Sequence, residues 1–490
     1  MESNFARTTR SGRTFASWNS AAVIPNPDFD IASLVQRAVA LEQQAQPPDD
    51  LLAHMDPEPS DYRAAAMMDA HSTSAPSSSS TSAPSPSRPN PRPRHSPVPS
   101  PPSLPASMSR TERSKLQWRQ IRKKRREAEK AKMKKFGGAA PRPKATEKYA
   151  QMAEPVATPN TTKRARHAET GYTGLPDPKK EQARRTHGLE ELTGEDYGFE
   201  VRQWDGRTPL PIVDRTGTII GMAIGQPEDD GWEDLHQHVA GCLKHARQRC
   251  NPVLSKDDMR RGEFWTCQCG VSHGGGQTRP MNFSNTKAME ELLESLNSQP
   301  CFQRLASFTS SAFASWAPSL HKHYCEELGK LQDHDPSLRR PFDSSVFMAT
   351  TYNLGPQTVC FRHLDSANLA YGWCAITALG SFDPTKGGHL VLWECKLIIE
   401  FPPGSTILIP SALIHHSNTP IAEGETRYSF TQYASGGLFR WVDHNFQTVE
   451  AHRASLSAQA LTELDEWHSR RWSMGLAKLP RMPWVPGPDV

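Results

Sequence analysis

Residues 346–433 read VFMATTYNLGPQTVCFRHLDSANLAYGWCAITALGSFDPTKGGHLVLWECKLIIEFPPGSTILIPSALIHHSNTPIAEGETRYSFTQY. Apolar and β-branched runs alternate here with Gly, Pro and Asp punctuation, the mark of short strands joined by tight turns. The strands expected are Val346–Tyr352, Val359–Phe361, Trp373–Leu379, Leu390–Trp393, Leu397–Phe401, Thr406–Ile409 and Tyr428–Tyr433. Upstream, PLPIVDRTGTIIGMAIG (209–225) predicts a hairpin turning at Asp214 to Gly217. Apolar spacing near 3.6 then predicts helices over Ala288–Leu296 and within Phe302–Leu331. Helices followed by many short strands predict an α+β fold, a double-stranded β-helix (jelly-roll) core buttressed by helices, with a long disordered N-terminal region.

The rest of the chain reads as tails. Of 490 residues 42 are proline, and mean hydropathy is −0.64. Residues 71–105 are Ser/Pro-rich and too poor in apolar side chains to offset the entropy of ordering them. Composition therefore predicts largely disordered residues 1–186, a folded domain over 187–450 and, over 451–490, a C-terminal helix (Ala454–Trp472) with a Pro-rich tail. A short helix at Ile31–Gln43 is also expected. The nine cysteines show no secreted disulfide framework, and no apolar run approaches the ~20 residues that span a bilayer. A soluble protein of a reducing compartment, with no membrane partner, is expected.

Charge is uneven. Residues 110–135 hold 13 Lys/Arg against three Glu, a local net charge of +10, so the remainder carries −6. Such a block suits a nuclear import signal or a nucleic-acid-binding arm, and otherwise a solvated linker helix. Nuclear localisation is the expectation.

The chemistry lies within the strand-rich region. A non-haem iron oxygenase holds its metal with two histidines and one carboxylate, leaving the opposite face open. The sequence form is His-x-Asp/Glu and a later His. Three His-x-Asp/Glu instances occur, at His54, His167 and His363, and the first two fall in the predicted tail. His363 and Asp365 alone sit between two expected strands. The later ligand would come from His415 or His416, which face opposite ways on a strand, so only one can bind. Arg427, on the next strand, is placed to meet a carboxylate bidentately. Cys267 and Cys269, with His273 nearby, lack a second pair at zinc spacing and read as structural. Gly274–Gly276 lacks the Lys of a phosphate loop and reads as a flexible loop near the site.

HLDSANLAYGWCAITALG (363–380), GGHLVLWECKLIIEFPPGSTILIPS (387–411), HHSNTP (415–420) and TRYSFTQYASGGLFRWVD (426–443) together resemble the TET/JBP dioxygenases of DNA. The likeness is to the branch expanded in mushroom-forming fungi that often accompanies DNA transposons. It extends back through RRGEF (260–264), GGGQTRP (274–280) and the 307–320 helix. It implies Fe(II), 2-oxoglutarate as cosubstrate, dioxygen, and oxidation of the methyl group of 5-methylcytosine in DNA. By position it selects His416 as the distal metal ligand and Arg427 as the 2-oxoglutarate anchor. It implies that Asn368 contacts a flipped base and that Tyr433 stacks on it. The chain departs from the family at Ser435, where several members carry a base-contacting histidine, and at Leu364, where Arg is common. Base choice is therefore open: N6-methyladenine, thymine, RNA or a protein side chain are alternatives, as is a catalytically silent DNA-binding protein. A monomer is the default expectation.

Overall fold

The computed structural model describes residues 142–160, 162–178, 184–250 and 261–482, with short pieces at 7–8, 14–15, 118–124, 127 and 137. The Ser/Pro-rich stretch, most of the basic block, the expected helix at 31–43, His54 and the last eight residues lie outside them. The chain divides into two units, Met1–Leu52 and Ala53–Val490. In the first, Arg7–Thr8 pairs antiparallel with Thr14–Phe15. Everything below concerns the second.

Its elements begin with α1 (Pro143–Met152), β1 (Val156–Ala157), α2 (Leu189–Thr193), β2 (Glu200–Arg202), β3 (Leu210–Val213), β4 (Ile219–Gly225) and α3 (Trp232–Cys250). Next come β5 (Thr266–Ser272), β6 (Met281–Asn282), α4 (Lys287–Asn297), α5 (Pro300–Trp316) and α6 (Pro318–His334). The strand-rich region supplies β7 (Ala349–Asn353), β8 (Cys374–Ser381), β9 (Leu390–Leu392), β10 (Leu397–Ile399), β11 (Thr406–Ile409), β12 (His416–Asn418) and β13 (Thr426–Tyr433). Helices α7 (Gly436–Asp443), α8 (Val449–Ala454) and α9 (Ala458–Leu476) close it.

Two sheets result. Nine strands run in the order β1-β3-β4-β11-β8-β13-β7-β5-β6 and four in the order β12-β9-β10-β2. From β7 onward the chain passes between the sheets. β8, β11 and β13 belong to the larger, whereas β9, β10 and β12 belong to the smaller. Cys374, Ala378, Ile407 and Ile409 of one sheet meet Leu390, Leu392, Leu397 and Ile399 of the other in a shared core. The period of two sorts β13: Tyr428 and Phe430 turn outward to Leu243, Phe302 and Leu305 of α3 and α5, leaving Arg427, Ser429, Thr431 and Tyr433 on the inner face.

The hairpin forms where expected. Asp214 accepts from the backbone N–H and hydroxyl of both Thr162 and Thr216 and from the N–H of Thr218. Gly217 takes the left-handed φ of +74° that the turn needs.

Several elements differ from expectation. The helical stretch 302–331 is two helices, because Pro318 has no N–H to donate and pushes Ala317 to φ −130°, ψ 67°. Val359–Phe361 is no strand, although the adjacent His363 bridges His416. The expected C-terminal helix forms as α9, starting four residues later than Ala454 and running four past Trp472, with the short α8 before it.

The start of the fold also moves. Composition put it near His187, yet α1 packs near α5 and β1 pairs in parallel with β3. The apolar residues that achieve this, Val156 and Tyr172 among them, are isolated between polar ones, so a compositional window averages them away. His167, expected in the tail, stacks on Trp472 at 3.9 Å. Among the described residues no helix is long and apolar enough to cross a membrane.

Candidate metal centre and its surroundings

His416 opens β12 on the edge of the smaller sheet, and His363 exchanges backbone hydrogen bonds with it at 3.0 and 3.2 Å. This bridge puts the two imidazoles side by side, their centroids 4.2 Å apart. The chain then turns, with Asp365 N–H donating to the Ser411 carbonyl at 2.9 Å, so the carboxylate comes round to face both rings. One ligand atom from each of His363, Asp365 and His416 lies within 4.8 Å of the others. Asp365 Oδ1 is 4.0 Å from His363 Nε2, and Oδ2 is 3.8 Å from His416 Nε2.

The tautomers are fixed by what the other nitrogens touch. His363 Nδ1 lies 2.7 Å from the Phe361 carbonyl and His416 Nδ1 lies 3.0 Å from the Ile414 carbonyl. A carbonyl only accepts, so each Nδ1 carries the proton and each Nε2 offers its lone pair inward. Burial drives both imidazole pKa values below the ordinary histidine range, keeping them neutral as ligands must be. For Asp365 burial pushes upward, but the Arg261 guanidinium beside it outweighs this and holds the carboxyl at about 2. Arg261 Nη2 stands 2.5 Å from Asp365 Oδ1, a charge contact without the alignment of a hydrogen bond, for Oδ1 has no directed donor. Two neutral imidazoles and an ionised, under-coordinated carboxylate suit a divalent first-row metal.

His415 points the other way. Its Nδ1 meets the Glu394 carboxylate, and its Nε2 lies 2.6 Å from Asp177 Oδ2. It is a structural ion-pair residue, as strand alternation requires.

Arg427 is 1 % exposed. It donates to the Thr358 carbonyl at 2.8 Å and reaches Asn418 Oδ1 at 3.5 Å, while its Nε has no hydrogen-bond partner. Burial lowers its pKa to about 10. No carboxylate pairs with it among the described residues. Two more buried polar atoms near it lack partners, Thr358 Oγ1 and His389 Nε2. His389 Nδ1 is engaged by Thr419 Oγ1 at 2.7 Å, and its backbone carbonyl accepts from Asn418. A buried cation beside unsatisfied polar atoms is a cradle for an anion.

Asn368 and Tyr433 are half-buried nearby. Asn368 Nδ2 donates to Ser411 Oγ at 3.0 Å, and its N–H bonds the Asp365 carbonyl. Tyr433 Oη accepts from Thr351 at 3.2 Å. Burial lifts the phenol to about 12, with Arg261 and Asp365 close enough to act on it. Ser435 Oγ accepts from the His273 N–H at 3.2 Å, which ties the Gly274–Gly276 loop to the end of β13. Cys267 and Cys269 do not meet His273 as ligands; Cys269 contacts Asn297.

Arg261, Thr358 and His389 are the residues sequence reasoning missed. Arg261 lies in RRGEF, a stretch the resemblance already covers but to which it gave no role, and Thr358 lies in an irregular segment with no motif around it. His389 did carry a signal, a histidine at the head of the apolar run LVL.

No protein-family model and no curated protein matches the chain. Among solved structures it is similar to "NgTET1 in complex with 5mC DNA", with a TM-score of 0.33 and 13% identity over 49% of this chain and 83% of that one. It is also similar to an oxidoreductase of the 2OG-Fe(II) oxygenase family from Burkholderia pseudomallei, with a TM-score of 0.25 and 17% identity over 43% of this chain and 92% of that one.

Proposed function

We propose that the chain is an Fe(II)- and 2-oxoglutarate-dependent dioxygenase that oxidises the methyl group of 5-methylcytosine in DNA. The observation that carries the reading is the pairing of a His/Asp/His donor set with a buried guanidinium that pairs with no carboxylate among the described residues. The passage of the chain between two sheets from β7 to β13 supports a jelly-roll core.

His363, Asp365 and His416 would hold the iron. Arg427, helped by Thr358 and His389, would anchor the distal carboxylate of 2-oxoglutarate, and Arg261 supplies positive charge beside Asp365. Bound together, iron and 2-oxoglutarate would couple reduction of dioxygen and decarboxylation to succinate and carbon dioxide with oxidation of the methyl group. The residues' own work is orientation and exclusion of water. A methyl group inside a duplex cannot reach the inner face of the sheets, so the base must be extruded. Asn368 would then read its polar edge and Tyr433 would stack on it. The +10 segment at 110–135 would add phosphate affinity and nuclear import. The residue patterns support placing the chain in the fungal, transposon-associated branch of the TET/JBP dioxygenases.

Mass spectrometry of nucleosides after incubation with 5-methylcytosine DNA, iron and 2-oxoglutarate is the test. Oxidised cytosine with stoichiometric succinate is expected. Succinate formed with a different base or a peptide would overturn the substrate. No succinate with any acceptor would overturn the enzyme.

A further inference from the structure

Outside the centre just described, one other group of metal-type donors converges among the described residues: His238, Cys242 and Cys301, with ligand atoms within 4.8 Å of one another. We infer that these three side chains bind a thiophilic divalent ion, Zn2+ foremost, which clips α3 to the start of α5.

The placement follows from the two helices. His238 and Cys242 are four residues apart on α3 and share a face, the spacing that lets one helix offer two ligands to one ion. Cys301 is the second residue of α5, behind Pro300. Phe302, next to it, is fully buried against Tyr352 and Phe430, so the backbone carrying Cys301 is held in place. Cys301 is 8 % exposed, Cys242 is partly exposed and His238 lies at the surface. An ion could thus enter from solvent and end against the core.

The distance fits. Tetrahedral zinc with bonds of ~2.3 Å to sulfur and ~2.0–2.1 Å to nitrogen sets neighbouring S and N ligand atoms about 3.6 Å apart. Cys242 Sγ and His238 Nε2 lie 3.7 Å apart. Two sulfurs and one imidazole form a set that favours zinc over the harder metals expected at a His/Asp/His centre. Cys242 also lines an open cleft with His245, Arg249, Ser295 and Gln299, which can supply a fourth ligand. His245, one turn beyond Cys242, or water can take that place.

The ion would brace the fold rather than touch substrate. Both helices pack on the outer face of β8 and β13 through Leu243, Leu305, Phe302 and Phe430. The inference does not depend on the proposed dioxygenase activity. A disulfide between Cys242 and Cys301 would use the same sulfurs and leave His238 without a role.

The test uses the full chain, purified reduced, with Co2+ alone as probe. A sulfur-to-cobalt charge-transfer band in the near ultraviolet is expected. It should persist in Asp365→Ala, because the other centre holds no sulfur, and vanish in Cys242→Ser and Cys301→Ser. Cys242→His keeps a ligand and should retain cobalt with a weaker band, which covers the case that a serine variant fails to fold. A folded wild-type chain without the band would overturn the inference. So would a band that survives both serine substitutions, or a Cys242–Cys301 disulfide without metal in the chain as isolated.

Discussion

His415 and His416 are adjacent in the chain and opposite in role. His416→Ala, His363→Ala and Asp365→Ala should each lose the iron measured by calorimetric titration. His415→Ala should bind it normally but melt earlier, because Glu394 and Asp177 lose the cation between them. Iron binding lost in His415→Ala and kept in His416→Ala would reverse the assignment. Arg427 is the second test. Removing one partner of a buried ion pair costs about 3–5 kcal/mol, so Arg427→Ala should weaken 2-oxoglutarate binding by roughly a hundredfold or more, with iron affinity little changed. At the rim, Asn368→Ala and Tyr433→Ala should slow oxidation of methylated DNA about tenfold, since a base-edge contact or a stack is worth ~1–3 kcal/mol. Unchanged rates in both would sink the DNA reading. The proposed ligands could be named from the sequence because coordination chemistry demands given residue types in a given order, although the choice of His416 over His415 came from the family resemblance. The roles of Arg261 and Thr358 could not, because they exist only once segments far apart in the chain have been brought together.

Among the elements, the β3–β4 hairpin depends most on one side chain. Asp214 is 2 % exposed and accepts from three threonines. Burial alone would raise its pKa, but the hydrogen bonds from Thr162 and Thr216 bring it below the ordinary value. Because the folded pKa is depressed, its stabilisation is present above the unfolded pKa of ~3.9 and is lost as pH falls through the folded value. Asp214→Asn should therefore cost roughly 2–4 kcal/mol at neutral pH. Its melting temperature should fall less than that of wild type when both are acidified below about pH 4. Equal acid sensitivity would show that the carboxylate contributes nothing. This turn could be read from DRTG, and so could most strands. Helix α3 could not, because Glu233, Asp234, His236, Gln237 and Lys244 crowd around the few apolar residues that face the sheet and blur their 3.6 period. The break between α5 and α6 could have been read from Pro318, whose effect on the preceding residue is local.

For the molecule as a whole, the N-terminal boundary makes two truncations informative. Removing residues 1–136 should leave the melting temperature nearly unchanged and make the salt dependence of DNA binding shallower, since the +10 block leaves with it. Removing 1–170 also takes β1 and the Thr162 contacts to Asp214, and should lower the melting temperature by several degrees. Equal stability of the two would show that residues 142–170 add nothing. Arg427, buried with no carboxylate partner among the described residues, matters at this scale too. Burying a charge in that way costs desolvation, so under the proposed function a dicarboxylate would act as a folding ligand as well as a reactant. At a hundred times its Kd it would add about 2.7 kcal/mol of stability. A non-reacting dicarboxylate analogue should raise the melting temperature of wild type but not of Arg427→Ala. In a cell, the chain's lifetime against proteolysis would then follow the supply of its cosubstrate, so that carbon metabolism would set how much enzyme survives as well as how fast it works.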